Sequence, residues 1–222
     1  MASIVKIISI DNLTHNVLHI KTEKPDCLLF SPGQAADISI NQPEWKEKKN
    51  PFTFTSLPED NTLEFTIKIY PEHNGVTKQL LSLVPGDELI IQDIFGTIRY
   101  KGEGIFIAGG AGVTPFLSIL KDLNKKNKIS GNKLIFANKT RKDIITENWL
   151  SETLGSNFIN ILSEEHCKGY AYGYITKQFL QQHVDARLQY YYICGPEPMM
   201  KSITANLLEL GIDKKQIIEE KF

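Results

Sequence analysis

The sequence predicts a two-domain chain: an antiparallel β half, closed as a barrel or stacked as a sandwich, then an α/β half built on a mostly parallel sheet. Three observations predict it. The first hundred residues hold short alternating stretches separated by Pro-Gly turns. From Gly104 the pattern becomes apolar strands alternating with helical segments, as βαβ units require. The length of 222 residues suffices for two modest domains, each with its own core. The junction falls in "GTIRYKGEG", giving domains at 1–102 and 103–222.

In the first half, "VLHIKTE" and "TLEFTIKIY" alternate. The second puts Leu63, Phe65, Ile67 and Ile69 on one face and Glu64, Thr66, Lys68 and Tyr70 on the other. "ADISI" and "DELIIQDIFG" read as further strands, with turns at Pro32-Gly33 and Pro85-Gly86. "NPFTFTSLP" is different: Thr53, Thr55 and Ser56 bring hydroxyls that a core strand does not need. One helix follows in "GVTKQLLSL", with Thr77 as its N-cap and no carboxylate in its first turn. Thr77 and the amides of Lys78 and Gln79 would suit an anion; the plainer reading is a short connector.

In the second half, "GIFIAGG" is a continuous apolar strand, of the kind buried on both faces. A helix from Pro115, the strand "NKLIFAN", a helix from about Asp143, the strand "FINIL" and a helix near Thr176 succeed it. The strand "QYYYIC", the helix "EPMMKSITANLLELG" and "QIIEEKF" complete the chain. "GGAGVTPFLSIL" has the form of a phosphate-binding strand–turn–helix. Gly109, Gly110 and Gly112 allow a tight turn and close approach of a ligand, Thr114 serves as N-cap, and Pro115 suits the first helical position. Pro115 stands where the ordinary dinucleotide fingerprint has its third glycine, and Asn132 stands where that fingerprint wants an acid. The expectation is a variant nucleotide site; the alternative is a turn whose glycines serve only helix–sheet packing. Cys194, Gly195 and Pro196 fall on the same sheet edge, where a lone Cys reads as a small buried residue.

Composition adds exclusions. Apolar content of 41% and charge of 23% are ordinary for globular proteins, and a net charge of −1 gives no global pull toward nucleic acid or anionic membrane. The apolar runs are short and broken by glycine, so no membrane span is expected. "MASIVKIISIDN" lacks the zones of a secretory signal, and a cytoplasmic monomer is expected. Cys27, Cys167 and Cys194 read as reduced thiols, too few for a four-cysteine cluster. His15 and His19 lie on strand-like sequence, where a spacing of four does not align them, so no metal site is expected.

Taken in order, four of these motifs resemble the ferredoxin–NADP reductase family of flavoproteins, over nearly the whole chain. The resemblance implies an N-terminal Greek-key β-barrel binding FAD and a C-terminal α/β domain binding NADH or NADPH. "NPFTFTS" is similar to the family's Arg-x-Tyr-Ser flavin motif, with Asn50 in the arginine place, Phe52 in the tyrosine place and Thr53 in the serine place. By that likeness Thr53 bonds the flavin near N5 and Phe52 packs on its ring or ribityl chain. Thr55 and Ser56 are left to satisfy backbone at the strand's end. "GVTKQL" resembles the helix start on the flavin pyrophosphate, giving Gly75, Val76 and Thr77 as contacts; Lys68, Ile69 and Tyr70 are carried over with them. Gly110, Gly112, Val113, Thr114 and Pro115, with Gly195 and Pro196, resemble the two nicotinamide-nucleotide loops. "EEKF" resembles an acidic-x-aromatic ending, in which Glu220 assists proton movement and Phe222 covers the flavin.

The implied activity is hydride transfer from NADH or NADPH to FAD, at a site lined by Thr53 and Cys194. Electrons then leave to a separate acceptor, most simply ferredoxin or flavodoxin. A diaphorase acting on small acceptors and a non-catalytic subunit of the same fold are the rivals. Two departures from the motif matter: Asn50 forfeits a charge-assisted bond, for which Lys48, Lys49 or Lys78 could substitute, and Phe52 forfeits a hydroxyl. They leave FMN open beside FAD. For the nucleotide, Lys139, Arg141 and Lys142 favour NADPH while Glu164 and Glu165 oppose it, and repulsion tips the balance to NADH.

Overall fold

A computed structural model describes residues 2–184 and 190–220. Six antiparallel strands make the first sheet: β1 (Ser3–Thr14), β2 (Val17–Glu23), β3 (Ala35–Ile40), β4 (Asn50–Thr53), β5 (Thr62–Lys68) and β6 (Glu88–Phe95), in the order β4-β3-β6-β1-β2-β5. Its two ends meet. Phe54 bridges to Phe65, and the Thr55 N–H donates to the Glu64 carbonyl at 2.8 Å. Closure makes β3, β4 and β5 successive neighbours and returns β6 beside β3, a Greek-key barrel without open edges.

Alternation fills the barrel as the sequence predicts. Leu63, Phe65, Ile67 and Ile69 are buried in one cluster with Ile7, Ile20 and Ile38. Phe54 stacks on Phe30 with ring centroids 4.2 Å apart. Two strands lack a clear sequence signal. In β1, Val5 and Ile7 point inward while Ile4 and Ile8 are 58% and 46% exposed, so apolar residues occupy both faces and the alternation is erased. In β4, a proline and four residues' length weaken any pattern.

The helix after β5 differs from expectation. α1 (Val76–Gln79) is a single turn capped by Gly75, not by Thr77. The N–H groups of Lys78 and Gln79 already donate to the Gly75 carbonyl, so these amides are not available to an anion. One turn also aligns too few peptide dipoles to matter.

The second sheet is parallel: β7 (Gly104–Gly109), β8 (Lys133–Asn138), β9 (Phe158–Leu162), β10 (Ala171–Tyr172), β11 (Tyr190–Cys194) and β12 (Ile217–Glu219), in the order β10-β9-β8-β7-β11-β12. Helices α2 (Thr114–Lys125), α3 (Glu147–Leu154), α4 (Lys177–His183) and α5 (Glu197–Glu209) cover it. Every residue of β7 is buried, with Phe106 and Ala108 in one cluster and Ile105 and Ile107 in the other. Strand order reverses between β7 and β11, so the crevice beyond their carboxyl ends is a switch point. Residues 110–113 form a 3-10 turn running straight into α2. Thr114 is therefore no N-cap; its hydroxyl donates back to the Ala111 carbonyl. The helix expected from Asp143 starts at Glu147, because Thr140 and Asp143 close a capping box on their own short turn. Asn132 is buried, and its Oδ1 accepts from the Gly104 N–H.

The barrel and the sheet are clamped together. Val17 and Ile98 belong to a core cluster of the parallel sheet. Gly33 N–H donates to Ser118 Oγ at 2.9 Å, and Thr97 Oγ1 donates to the Glu219 carbonyl. Lys121 of α2 donates to the Thr55 carbonyl at 2.7 Å and to Glu64 at 3.1 Å. His19, 3.5 Å from Glu64, and then Lys121 hold the Glu64 carboxyl down at about 2. Among the described residues no helix is long and apolar enough to cross a membrane.

A carboxyl held low when folded contributes stability above its unfolded pKa and loses it as pH falls through the folded one. Glu64→Gln should cost about 1–2 kcal/mol at neutral pH, the clamp being partly solvated. Its deficit against the parent should shrink between pH 4.5 and about 2, as urea-unfolding midpoints across that range will show.

Candidate active site

Two cavities meet between barrel and sheet. The inner cleft, about 450 Å³, has Asn50, Phe52, Thr53, Thr66 and Tyr70 on its barrel side. Its sheet side is Gly112, Thr114, Pro115, Cys194, Gly195 and Glu220. The outer cavity, about 680 Å³, lies over the carboxyl ends of β7, β8 and β9, against Gly110, Asn138, Lys139, Glu164 and Tyr174. Lys68 and Pro196 wall both. The groove is therefore continuous from the barrel mouth to the switch point.

The hydroxyls of the β4 segment have separate partners. Ser56 Oγ accepts from the Glu64 N–H at 3.1 Å, a backbone partner as expected. Thr55 Oγ1 instead lies 3.3 Å from Thr66 Oγ1. Thr53 is left facing the cleft. Thr77 lines the cleft as well, although it caps nothing. Ile69 and Val76 turn into the barrel core, and Val113 into the core of the sheet, so none of these side chains faces a ligand. Gly75 lies outside the cleft wall. Phe222 falls outside the described residues.

Nor do the expected substitutes for an arginine at position 50 reach the cleft. Lys48 sits 4.1 Å over the Trp45 ring, and Lys78 donates to Asn74. The cation at the junction is Lys68, which has no carboxylate partner among the described residues.

The glycines divide by task. A side chain at Gly112 would overlap the Cys194 carbonyl, and one at Gly109 would overlap Met199. Gly195 packs on the Gly109 backbone. These three let the loops after β7 and β11 close on each other, the packing role weighed as the alternative. Gly110 is the exception: its φ of +52° needs glycine, and a Cβ there would meet only Lys68 Nζ, 3.8 Å away, across the cavity mouth. Its backbone is thus open to a phosphate-sized group beside a lysine, which fits a nucleotide.

Burial dominates the electrostatics. It pushes the Cys194 thiol up to about 12, helped by the Glu220 charge, so Cys194 stays neutral and is no nucleophile. Burial alone raises Glu220 to about 6. In the outer cavity, Asn138 is buried and its Nδ2 has no partner among the described residues. Tyr174 presents a ring that is 78% exposed on the same wall. Neither has a sequence signal: an asparagine ending a strand and a tyrosine in a loop are both common, and only the topology sets them at one edge. Among the described residues there is no cluster of His, Cys, Asp and Glu that could hold a metal ion.

The fold and the sequence both place the chain in a known family. A family model described as an FAD-binding domain matches residues 2–128, and one described as an oxidoreductase NAD-binding domain matches residues 106–205. NADH–cytochrome b5 reductase 1 of Arabidopsis thaliana is 30% identical over 229 residues, covering 93% of this chain and 79% of the relative. The reductase component of propane 2-monooxygenase from Rhodococcus jostii is 27% identical over 98% of this chain, which spans 62% of that relative. The crystal structure of a ferredoxin NADP+ reductase from Neisseria gonorrhoeae, with FAD and NADP bound, shares the fold at a TM-score of 0.86 and 17% identity, covering 99% of this chain and 98% of that one. By fold and sequence match, the chain belongs to the FAD- and NAD-binding oxidoreductases of the ferredoxin–NADP reductase-like family, and it is a flavin-dependent reductase.

Proposed function

We propose that FAD occupies the inner cleft, that the nicotinamide nucleotide occupies the outer cavity, and that their reacting ends meet at Thr53, Cys194 and Glu220. One observation carries this: the two cavities share Lys68 and Pro196 as a common wall. Bound FAD supplies the redox chemistry, two-electron uptake from nicotinamide and single-electron release.

The chain's own residues do the rest. Thr53 Oγ1 would hold the hydride-accepting edge of the bound flavin by a hydrogen bond. Phe52 packs on the ring. Lys68 places at the junction of the two cavities the positive charge that Asn50 lacks, and Gly110 offers an unshielded backbone beside it. Cys194, neutral and buried, closes the reaction face against water. Glu220, its carboxyl near 6, would accept a proton in the inner cleft when it is ionised.

The acceptor is a small redox protein, of the cytochrome or oxygenase-component kind for which the relatives are named; ferredoxin and flavodoxin are its competitors. Turnover with cytochrome b5, ferredoxin, flavodoxin and free flavin ranks them, and a preference for free flavin would favour the diaphorase. Anaerobic mixing with NADH or NADPH should bleach the visible absorbance of the FAD-loaded protein. No bleaching with either sinks the proposal.

Thr53→Ala should slow that bleaching about 5–20-fold, the worth of one hydrogen bond made at the reacting centre, with the apparent nucleotide affinity nearly unchanged. An unaltered single-turnover rate would remove Thr53 from the reaction.

Glu220 is protonated below about pH 6 and ionised above it, so a proton-accepting role makes turnover rise with pH through that value. Glu220→Gln should lower steady-state reduction of ferricyanide and flatten the profile between pH 5 and about 7, within the range where a carboxyl near 6 titrates. The same inflection in the variant would assign it to another group.

A further inference from the structure

The turn between β1 and β2, residues 14–17, links two residues of the outer cavity's wall. On the barrel side it runs against β5. Val17 is paired in register with Lys68, and the Ile69 N–H donates to the Asn16 carbonyl at 2.8 Å. On the sheet side His15 sets its Nε2 3.6 Å from Asp143 Oδ1. Lys68 and Asp143 both wall the cavity, so a short turn of the barrel bridges from one to the other.

The turn is built as a spacer. Thr14 Oγ1 donates to Asn16 Oδ1 at 3.1 Å and accepts from the Asn16 N–H at 3.4 Å. Val17 is buried in the same apolar cluster as Ile144 and Ile145, the two residues after Asp143. Asp143 is what the turn acts on. Its side chain is only 9% exposed, and a carboxylate taken out of water needs partners for both oxygens. Oδ2 accepts from the Thr140 N–H at 3.0 Å and from Thr140 Oγ1 at 2.6 Å, which closes the turn after Lys139. Oδ1 faces His15. An imidazole beside a carboxylate is attracted to it as a cation and, less strongly, through its N–H dipole. The attraction draws the turn at 140–143 toward the barrel.

We infer that His15 is a positioning residue of the nucleotide site: from the barrel it holds Asp143, and so fixes the wall of the outer cavity against which the nucleotide packs. The inference rests on the proposed place of the nucleotide in that cavity. It makes the strength of nucleotide binding depend on a side chain of the other domain. His15 is 46% exposed and lies outside the wall of the inner cleft, so the reacting ends at Thr53 are not disturbed by its loss.

The test separates binding from chemistry. ADP-ribose is titrated calorimetrically into the FAD-loaded protein, and anaerobic bleaching is followed against nucleotide concentration. His15→Ala should weaken ADP-ribose binding about two- to fivefold, the range for a part-exposed ion pair. The half-saturating concentration should rise in step, for NADH and NADPH alike. The limiting bleaching rate should stay within about twofold of the parent's, a split that general loosening of the fold would not give. His15→Lys, which returns a cation, should recover most of the binding where Asp143 is present. His15→Glu, which sets two carboxylates together, should weaken binding further. In an Asp143→Asn background His15→Ala should add nothing, since its partner is gone. Unchanged ADP-ribose affinity in His15→Ala, a limiting rate that falls with the affinity, or equal losses with and without the Asp143 charge would overturn the inference while leaving the proposed function intact. If the parent binds no ADP-ribose and neither nucleotide bleaches its flavin, the outer cavity is not the nucleotide site, and both readings fall.

Discussion

The contact of the Gly110–Val113 turn with the end of β11 is the constraint on which both cavities depend. Gly112 lies so close to the Cys194 carbonyl that no side chain fits between them, and Gly195 rests on Gly109. This contact is available only because β7 and β11 are paired neighbours at the point where strand order reverses. It draws the two loops into one floor. Cys194, Gly195 and Pro196 thereby face Thr53 across the inner cleft, and Gly110 is pushed outward beside Lys68. A looser approach would separate the wall that the two cavities share.

The barrel must be held against that floor, and the hold is partly electrostatic. Lys121 projects from the helix that the glycine turn starts and reaches the Thr55 carbonyl and Glu64. Thr55 follows Thr53 by two residues, and Glu64 lies on β5 four residues before Lys68. The clamp therefore sets the two strands that carry the cleft's hydroxyl and its cation. Packing reinforces it, since Val17 enters a core cluster of the sheet and is paired in register with Lys68. Stability and site geometry are written into the same few contacts.

Much of this was legible in the sequence. The parallel strands are apolar runs with helices between them, and Leu63, Phe65, Ile67 and Ile69 alternate cleanly. Thr53, Cys194 and Glu220, which the family resemblance singled out, line one cleft together with Gly112 and Gly195. What was not legible has physical causes. Apolar residues on both faces of β1 hide its period, and β4 is too short to have one. A threonine early in a one-turn helix looks like a cap, but the backbone turn is closed by Gly75. Glycines needed for loop–loop contact look the same as glycines needed by a ligand. The pairing of Lys139 with Glu164 joins two loops twenty-five residues apart, and a count of charges along the chain does not contain it.

Four lysines around the barrel and the groove are held by neighbours, and among the described residues one at the shared wall is not. Lys48 sits over Trp45, Lys78 donates to Asn74, Lys121 pairs with Glu64 and Lys139 with Glu164. Lys68 stands apart at the shared wall, without a carboxylate partner among the described residues. A side chain so placed acts on whatever fills either cavity. Under the proposed function, one charge at the junction takes over part of the work that an arginine at position 50 would do from the flavin side alone. The absence of that arginine then marks a shift of positive charge toward the nucleotide, where it can serve both ligands. Uniform attraction along the groove would draw any polyanion; an unpaired Lys68 at the shared wall and a Lys139 paired with Glu164 at the outer end favour a ligand whose phosphates sit in its middle.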